Sequence, residues 1–286
     1  FPPSKEFSEK AHIPSAKKLE SISKKAAKNP VEFWEKQAES LEWFRKWNSA
    51  YKWKHPIAEW FGGGKINISY NCLDRHLNTW RRNKAALIWE GEPDGGEIRT
   101  LTYSQLHHEV CKCAGVLLSL GVKKSDVVAI YMGMVPEAVI AMLACARIGA
   151  THNVVFGGFS AEALRERIND SKAVMLITQD GAFRRGTMVN LKQAADAALE
   201  HCPTIQHSLV LRRTGGDVIM KAGRDHWWHD LMRGASSNIP AEPLGSEHPH
   251  FILYTSGSTG KPKGILHTTG GYLTHVAYTT KTVFDI

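Results

Sequence analysis

No apolar run in this sequence approaches the roughly 20 residues that a membrane-spanning helix needs, so a soluble, globular body with no membrane partner is expected. Cysteine is sparse and odd in number, five in 286 residues, which excludes a closed disulfide framework and points to a reducing, cytoplasmic compartment. Cys111 and Cys113 stand two apart in a helical pattern, a spacing that turns them away from each other rather than toward a shared metal. His226 and His229 in HWWH could share a helix face, but a zinc site needs further ligands nearby, and no metal-ligand set is expected. No secretory leader is visible, and a chain starting at Phe1 is not expected to begin at the translational start. Acidic residues are in deficit, 28 against 36 basic ones, for a formal charge of +8. The surplus is diluted along the chain except at Lys5, Lys10, Lys17, Lys18, Lys24, Lys25 and Lys28, where a solvated helical face accounts for it better than a nucleic-acid arm. No nucleic-acid partner is expected; a basic protein also suits anionic small substrates.

What is present begins with Tyr254 to Gly264, YTSGSTGKPKG. The apolar run Phe251-Ile252-Leu253-Tyr254 reads as a buried strand that enters a loop of glycines, hydroxyls and two lysines. Glycines let successive backbone N–H groups face one anion, and Ser256, Ser258, Thr259, Lys261 and Lys263 add donors and charge. A Walker A loop is excluded, because Thr255 occupies its first glycine position and Pro262 follows Lys261. A plain surface loop is the bland alternative; the strand-to-loop junction favours phosphate.

The rest of the chain sorts into an arm and a body. Residues 1–65 read as a helical arm with anchoring tryptophans at Trp34, Trp43, Trp47, Trp53 and Trp60, helical from about Ala11 to Trp60. Residues 66–286 alternate strand and helix. Strands are expected at Ala85–Trp89, Val127–Met132, up to Phe156, Val174–Thr178, Ser208–Leu211 and Phe251–Thr255. Helices start at Tyr103 behind a Thr102/Gln105 capping box, at Pro136, and at Ala161 behind Ser160, with a further one from about Leu191. Repeated βα units imply an α/β fold with doubly wound, mostly parallel sheets flanked by helices, and ligands at the carboxyl ends of the strands.

These residues resemble a known family. YTSGSTGKPKG is similar to the phosphate loop of the adenylate-forming enzymes. NCLDRHL (Asn71 to Leu77), YMGMVPEAVIAMLACARIGA (Tyr131 to Ala150), VVFGGFSAEALRERI (Val154 to Ile168) and LITQDGAFRRG (Leu176 to Gly186) resemble the acetyl-CoA synthetases among them. The resemblance runs from about Phe33 to the last residue.

It implies an acid–thiol ligase that makes acetyl-CoA from acetate, ATP and coenzyme A through an acetyl-adenylate, with Mg2+ accompanying ATP. Thr255, Ser256, Gly257, Ser258, Thr259, Gly260, Lys261 and Lys263 would hold ATP and pyrophosphate. Lys263 and Thr259 would be the catalytic pair, the latter near the metal. Arg184, Arg185, Gly186 and Thr187 would bind the nucleotide end of coenzyme A, with Phe156, Gly157 and Gly158 lining its path. Thr187 departs from the family's usual lysine or arginine, and Arg185 is the candidate to compensate. Asn71 to His76 reads as structural, its charges pinning a helix. The family's adenine segment, hinge aspartate, catalytic lysine and small domain would follow Ile286, so the chain is expected to be an amino-terminal portion, inactive alone. Two alternatives stay open: a propionyl-CoA or other short-chain acyl-CoA synthetase, and a short non-catalytic nucleotide- or CoA-binding protein. Oligomeric state is not legible.

Overall fold

The structure, a computed structural model, describes residues 3–92, 96–255 and 261–286. The chain divides into two compact units, one of Phe1–Ile66, Pro243–His248 and Thr268–Ile286, the other of Asn67–Glu242 and Pro249–His267. Two later segments, Pro243–His248 and Thr268–Ile286, group with the start of the chain in the first unit.

The first unit opens with helices Lys5–Lys10, Ala16–Lys28 and Pro30–Ala38, and every lysine of the middle one is exposed. Beyond Ala38 the expected helix does not continue. Ser49–Lys54 and Ile57–Gly62 instead pair as an antiparallel hairpin. Tryptophans at mixed spacing imitate a helical stripe, but Tyr51 and Trp60 are cross-strand partners with ring centroids 4.6 Å apart, and Pro56 in the connecting turn suits no helix interior. Trp43, Trp47 and Phe61 gather around Ala38, with Trp43 and Trp47 at 4.8 Å. Helix Thr269–Val283 adds Tyr278, edge-on to Phe33 and Trp34. Trp43, Trp47, Trp60 and Phe61 pack as a small core, whereas Trp53 is exposed.

The second unit is built on a seven-stranded sheet. Its strands are β1 (Val127–Met132), β2 (Thr151–Phe156), β3 (Met175–Gln179), β4 (His207–Leu211), β5 (Asp225–Trp227), β6 (Pro249–Thr255) and β7 (Lys263–Thr268), in the order β5-β4-β3-β1-β2-β6-β7. From β5 through β6 the neighbours run parallel. The connecting helices are α1 (Tyr103–Ser119), α2 (Pro136–Ile148), α3 (Ala161–Ser171) and α4 (Leu191–Leu199). Strand alternation explains the two layers. Val128, Ile130 and Met132 of β1 face the core made with α1 and α2, whereas Ala129 and Tyr131 face the one made with α3 and α4. The doubly wound α/β architecture expected from the sequence is the one observed.

Local signals set the helix ends. Thr102 and Gln105 form a reciprocal capping box at the start of α1, Pro136 opens α2, and Gly149 closes it at φ +75°. Ser160 accepts a hydrogen bond from the Ala163 amide at the start of α3. The HWWH stretch corrects the sequence reading: His226 lies on β5 and His229 on helix Trp228–Gly234, so they share no helix face. His226 meets His207 of β4 instead, ring nitrogens 3.1 Å apart. Among the described residues no group of three or more His, Cys, Asp or Glu could hold a metal, and no helix is long and apolar enough to cross a membrane.

Candidate functional site

The carboxyl ends of β1, β2 and β3 open onto a cavity of about 240 Å³, the place where such sheets present their loops. Phe156, Gly157 and Gly158 reach it from the end of β2, and Gln179, Phe183 and Arg184 from the end of β3. Gly157 is there because nothing larger fits: a Cβ on it would stand 2.7 Å from the Met132 carbonyl oxygen. At Gly158 a Cβ would collide with the Arg184 guanidinium, whose carbon lies 4.8 Å from the Phe156 ring centroid. Two separate sequence segments, each expected to meet coenzyme A, therefore share one wall.

Arg184 is carried by a small hairpin, Ala182–Arg184 against Thr187–Val189, which the sequence does not advertise. Its turn residues Arg185 and Gly186 both have positive φ, +51° and +75°, as a two-residue hairpin of matching twist requires. Thr187 sits opposite Arg184, and its hydroxyl donates to the Arg184 carbonyl at 3.0 Å. Arg185, exposed at the tip, is not part of the cavity lining. The second guanidinium that lines it belongs to Arg213, which sequence reading missed together with Trp89. Arg213 lies just past β4; applying the strand-end rule to every strand, not only those with glycine motifs, would have found it.

Asp180 joins these loops. Its buried carboxylate accepts N–H bonds from Gly181 (2.7 Å), Arg213 (2.8 Å), Thr214 (3.1 Å) and Gly215 (2.8 Å). Burial alone would push its pKa up; the four amides outweigh burial and hold it below the usual carboxylate value.

The phosphate-loop residues are only partly described. Thr255 ends β6 and Lys263 begins β7, its sheet neighbour; Thr255, Lys261 and Lys263 are exposed. Ser256, Gly257, Ser258, Thr259 and Gly260 lie outside the described residues.

The Asn71 to His76 segment is a structural pin. Asp74 accepts a bidentate pair from Arg147 of α2 at 2.8 and 2.9 Å and lies 3.2 Å from His107 Nε2 of α1. The bond to Asp74, then the contact with Cys111, carries the His107 pKa up to about 9 against burial. For Asp74, burial pushes upward, but the bonds from Arg147 and His107 bring it down to about 2.

Comparison with known proteins gives the family. The family described as AMP-binding enzyme matches residues 73–285, and the one described as Acetyl-coenzyme A synthetase N-terminus matches residues 19–72. An acetyl-coenzyme A synthetase of Chlorobaculum tepidum is 54% identical over 286 residues, covering 100% of this chain and 43% of that protein. One of Gemmatimonas aurantiaca is 54% identical over 292 residues, covering 100% and 44%. The chain thus spans less than half the length of these curated relatives. Among solved structures, acetoacetyl-CoA synthetase from Streptomyces lividans superposes with a TM-score of 0.83 at 25% identity, over 91% of this chain and 39% of that one. With the phosphate-loop sequence, the doubly wound sheet and a match across most of its length, the chain belongs to the AMP-binding enzyme family.

Proposed function

We propose that this chain is the amino-terminal portion of a cytoplasmic acetate–CoA ligase, comprising an amino-terminal arm and part of the large domain, with the small domain supplied by the rest of the protein. The acetate carboxylate attacks the α-phosphorus of ATP and pyrophosphate leaves. The thiol of coenzyme A then attacks the acetyl carbonyl and AMP leaves. Such chemistry asks for positioning and charge stabilisation above all. Thr255 to Lys263 would hold the β- and γ-phosphates, and Mg2+ accompanying ATP would supply further charge neutralisation there, with Thr259 the residue expected to serve it. Lys263, on its own strand next to the one that ends at Thr255, offsets charge on the leaving pyrophosphate. Coenzyme A lies along Phe156, Gly157 and Gly158, with its nucleotide end at Arg184.

The observation that carries this reading is the shared cavity, which brings Phe156-Gly157-Gly158 and Arg184 to one wall. The test uses the complete protein. Lys263→Ala is expected to abolish acetate-dependent ATP–pyrophosphate exchange, and unchanged exchange would refute the role of the loop. Arg184→Ala is expected to raise the coenzyme A requirement for thioester formation while adenylate formation persists. An unaltered requirement would remove Arg184 from the site. Running both assays with acetate and with propionate fixes the acyl group.

A further inference from the structure

The cavity wall holds a second cation–aromatic unit beside Arg184 and Phe156. The Arg213 guanidinium carbon lies 4.9 Å from the Trp89 ring centroid and 5.6 Å from that of Phe183, and both rings also line the cavity. Trp89 is itself fixed, its indole N–H donating to the Met134 carbonyl at 2.7 Å. Among the described residues, the ion partner of Arg213 is Glu97, and that contact is long at 3.4 Å. Glu90 and Glu92 line the cavity too, so net charge is not what selects a ligand here. The selective element is two planar cations held against aromatic faces around one space.

The backbone brings the two arginines together. Asp180 follows β3 directly, and its carboxylate receives the amides of Arg213, Thr214 and Gly215 from the turn after β4. One buried anion thereby ties the loop leading to Arg184 to the turn bearing Arg213. Thr187, where a further cation is expected, is occupied within its own hairpin.

We propose that Arg213 is the second phosphate-binding guanidinium of this cavity, directed at the 3′-phosphate of coenzyme A, with Asp180 as its positioning residue. The inference rests on the reading of the cavity as the coenzyme A site. A planar fork held against indole is preorganised for phosphate oxygens, so little conformational freedom is lost on binding.

The experiment titrates the complete protein with coenzyme A and with dephospho-coenzyme A, which differ only in the 3′-phosphate, by calorimetry. Coenzyme A is expected to bind on the order of tenfold tighter, the scale of one charge-assisted phosphate contact. Arg213→Gln is expected to erase most of that preference and to leave dephospho-coenzyme A affinity within about twofold, since the lost contact is to the group that ligand lacks. In the unsubstituted chain, coenzyme A but not dephospho-coenzyme A should protect Arg213 from phenylglyoxal, read by peptide mass; this arm decides the matter where Arg213→Gln fails to fold. A preserved preference in folded Arg213→Gln, or equal protection by both ligands, overturns the role of Arg213. If Arg184→Gln weakens coenzyme A binding in that case, the cavity reading survives alone. Absence of coenzyme A binding by the folded, unsubstituted complete protein overturns that reading and this inference with it.

Discussion

Replacing Asp74 by asparagine tests how the sheet's helical layer is pinned. The Arg147 side chain is 3% exposed, and its bidentate partner is the Asp74 carboxylate, supplemented by the Ile239 carbonyl and, at 3.5 Å, Ser69. The Asp74→Asn change keeps the shape of the side chain but leaves a buried guanidinium without its counter-charge, a defect that costs about 3–5 kcal/mol. For a domain of this size that is a fall of roughly 10 °C in melting temperature. A second signature separates charge from packing. His107 has a folded pKa of about 9, above its unfolded value, so its contribution is complete below about pH 6.5 and is lost as pH rises through 9. A rise of that size corresponds to about 3 kcal/mol. Asp74, lowered to about 2, contributes above about pH 4 and loses its contribution as pH falls through 2. Urea titrations between about pH 5 and pH 10 should therefore show wild-type stability declining on the alkaline side, and the Asp74→Asn protein lower throughout with a much shallower decline. The pairing of Asp74→Leu with Arg147→Met, which removes both charges, should recover most of the loss. A cost below about 1 kcal/mol for Asp74→Asn, against the range for a broken buried pair, would refute the reasoning, as would a wild-type profile flat from about pH 6.5 to 9.5.

Two further substitutions probe the body. Gly157→Ala puts a Cβ 2.7 Å from the Met132 carbonyl oxygen, so the end of β2 must move away from β1; a loss of about 1–3 kcal/mol in urea titration is expected, and no loss would show that the close approach is not a constraint. Lys192, 1% exposed, bonds Asp196 at 2.7 Å, Asp225 at 2.9 Å and the Ile219 carbonyl at 2.8 Å. Lys192→Met should cost about 3–5 kcal/mol because Asp225 stays buried with one cation fewer, and a change under about 1 kcal/mol would mean that Arg224 alone suffices.

The fold was legible where a residue's local chemistry leaves one option. Thr102 with Gln105, Pro136 with Gly149, and Ser160 each mark a helix end by a hydrogen bond or a backbone angle, and of the strands they bracket Val127–Met132 is apolar on both faces. Legibility failed where pairing partners are distant or short. The hairpin at Ser49–Gly62 depends on Tyr51 meeting Trp60, and a spacing of aromatics cannot tell that from a helical stripe. Strand Asp225–Trp227 exists because β4 offers it an edge, and its own three residues do not demand it. Helix Thr269–Val283 joins the first unit through Tyr278 against Phe33 and Trp34, a contact between residues far apart in the chain.

The same distinction runs through the site. Glycine pairs announce themselves because their function is backbone approach, which only glycine permits; Gly157 against Met132 is that case. An arginine that binds phosphate looks in sequence like any surface arginine. Arg184 stands beside a familiar motif, while Arg213 lies in a turn of its own with nothing local to mark it. What distinguishes Arg213 is tertiary: an indole beneath it and a buried carboxylate drawing its backbone toward β3. On the proposed reading, a cation at position 187 is dispensable to the cavity, since the turn that Asp180 captures carries the Arg213 guanidinium. A binding wall assembled from three strand ends can exchange one contributor for another as long as the anchoring anion stays, and its chemistry is legible only when the strand order is known.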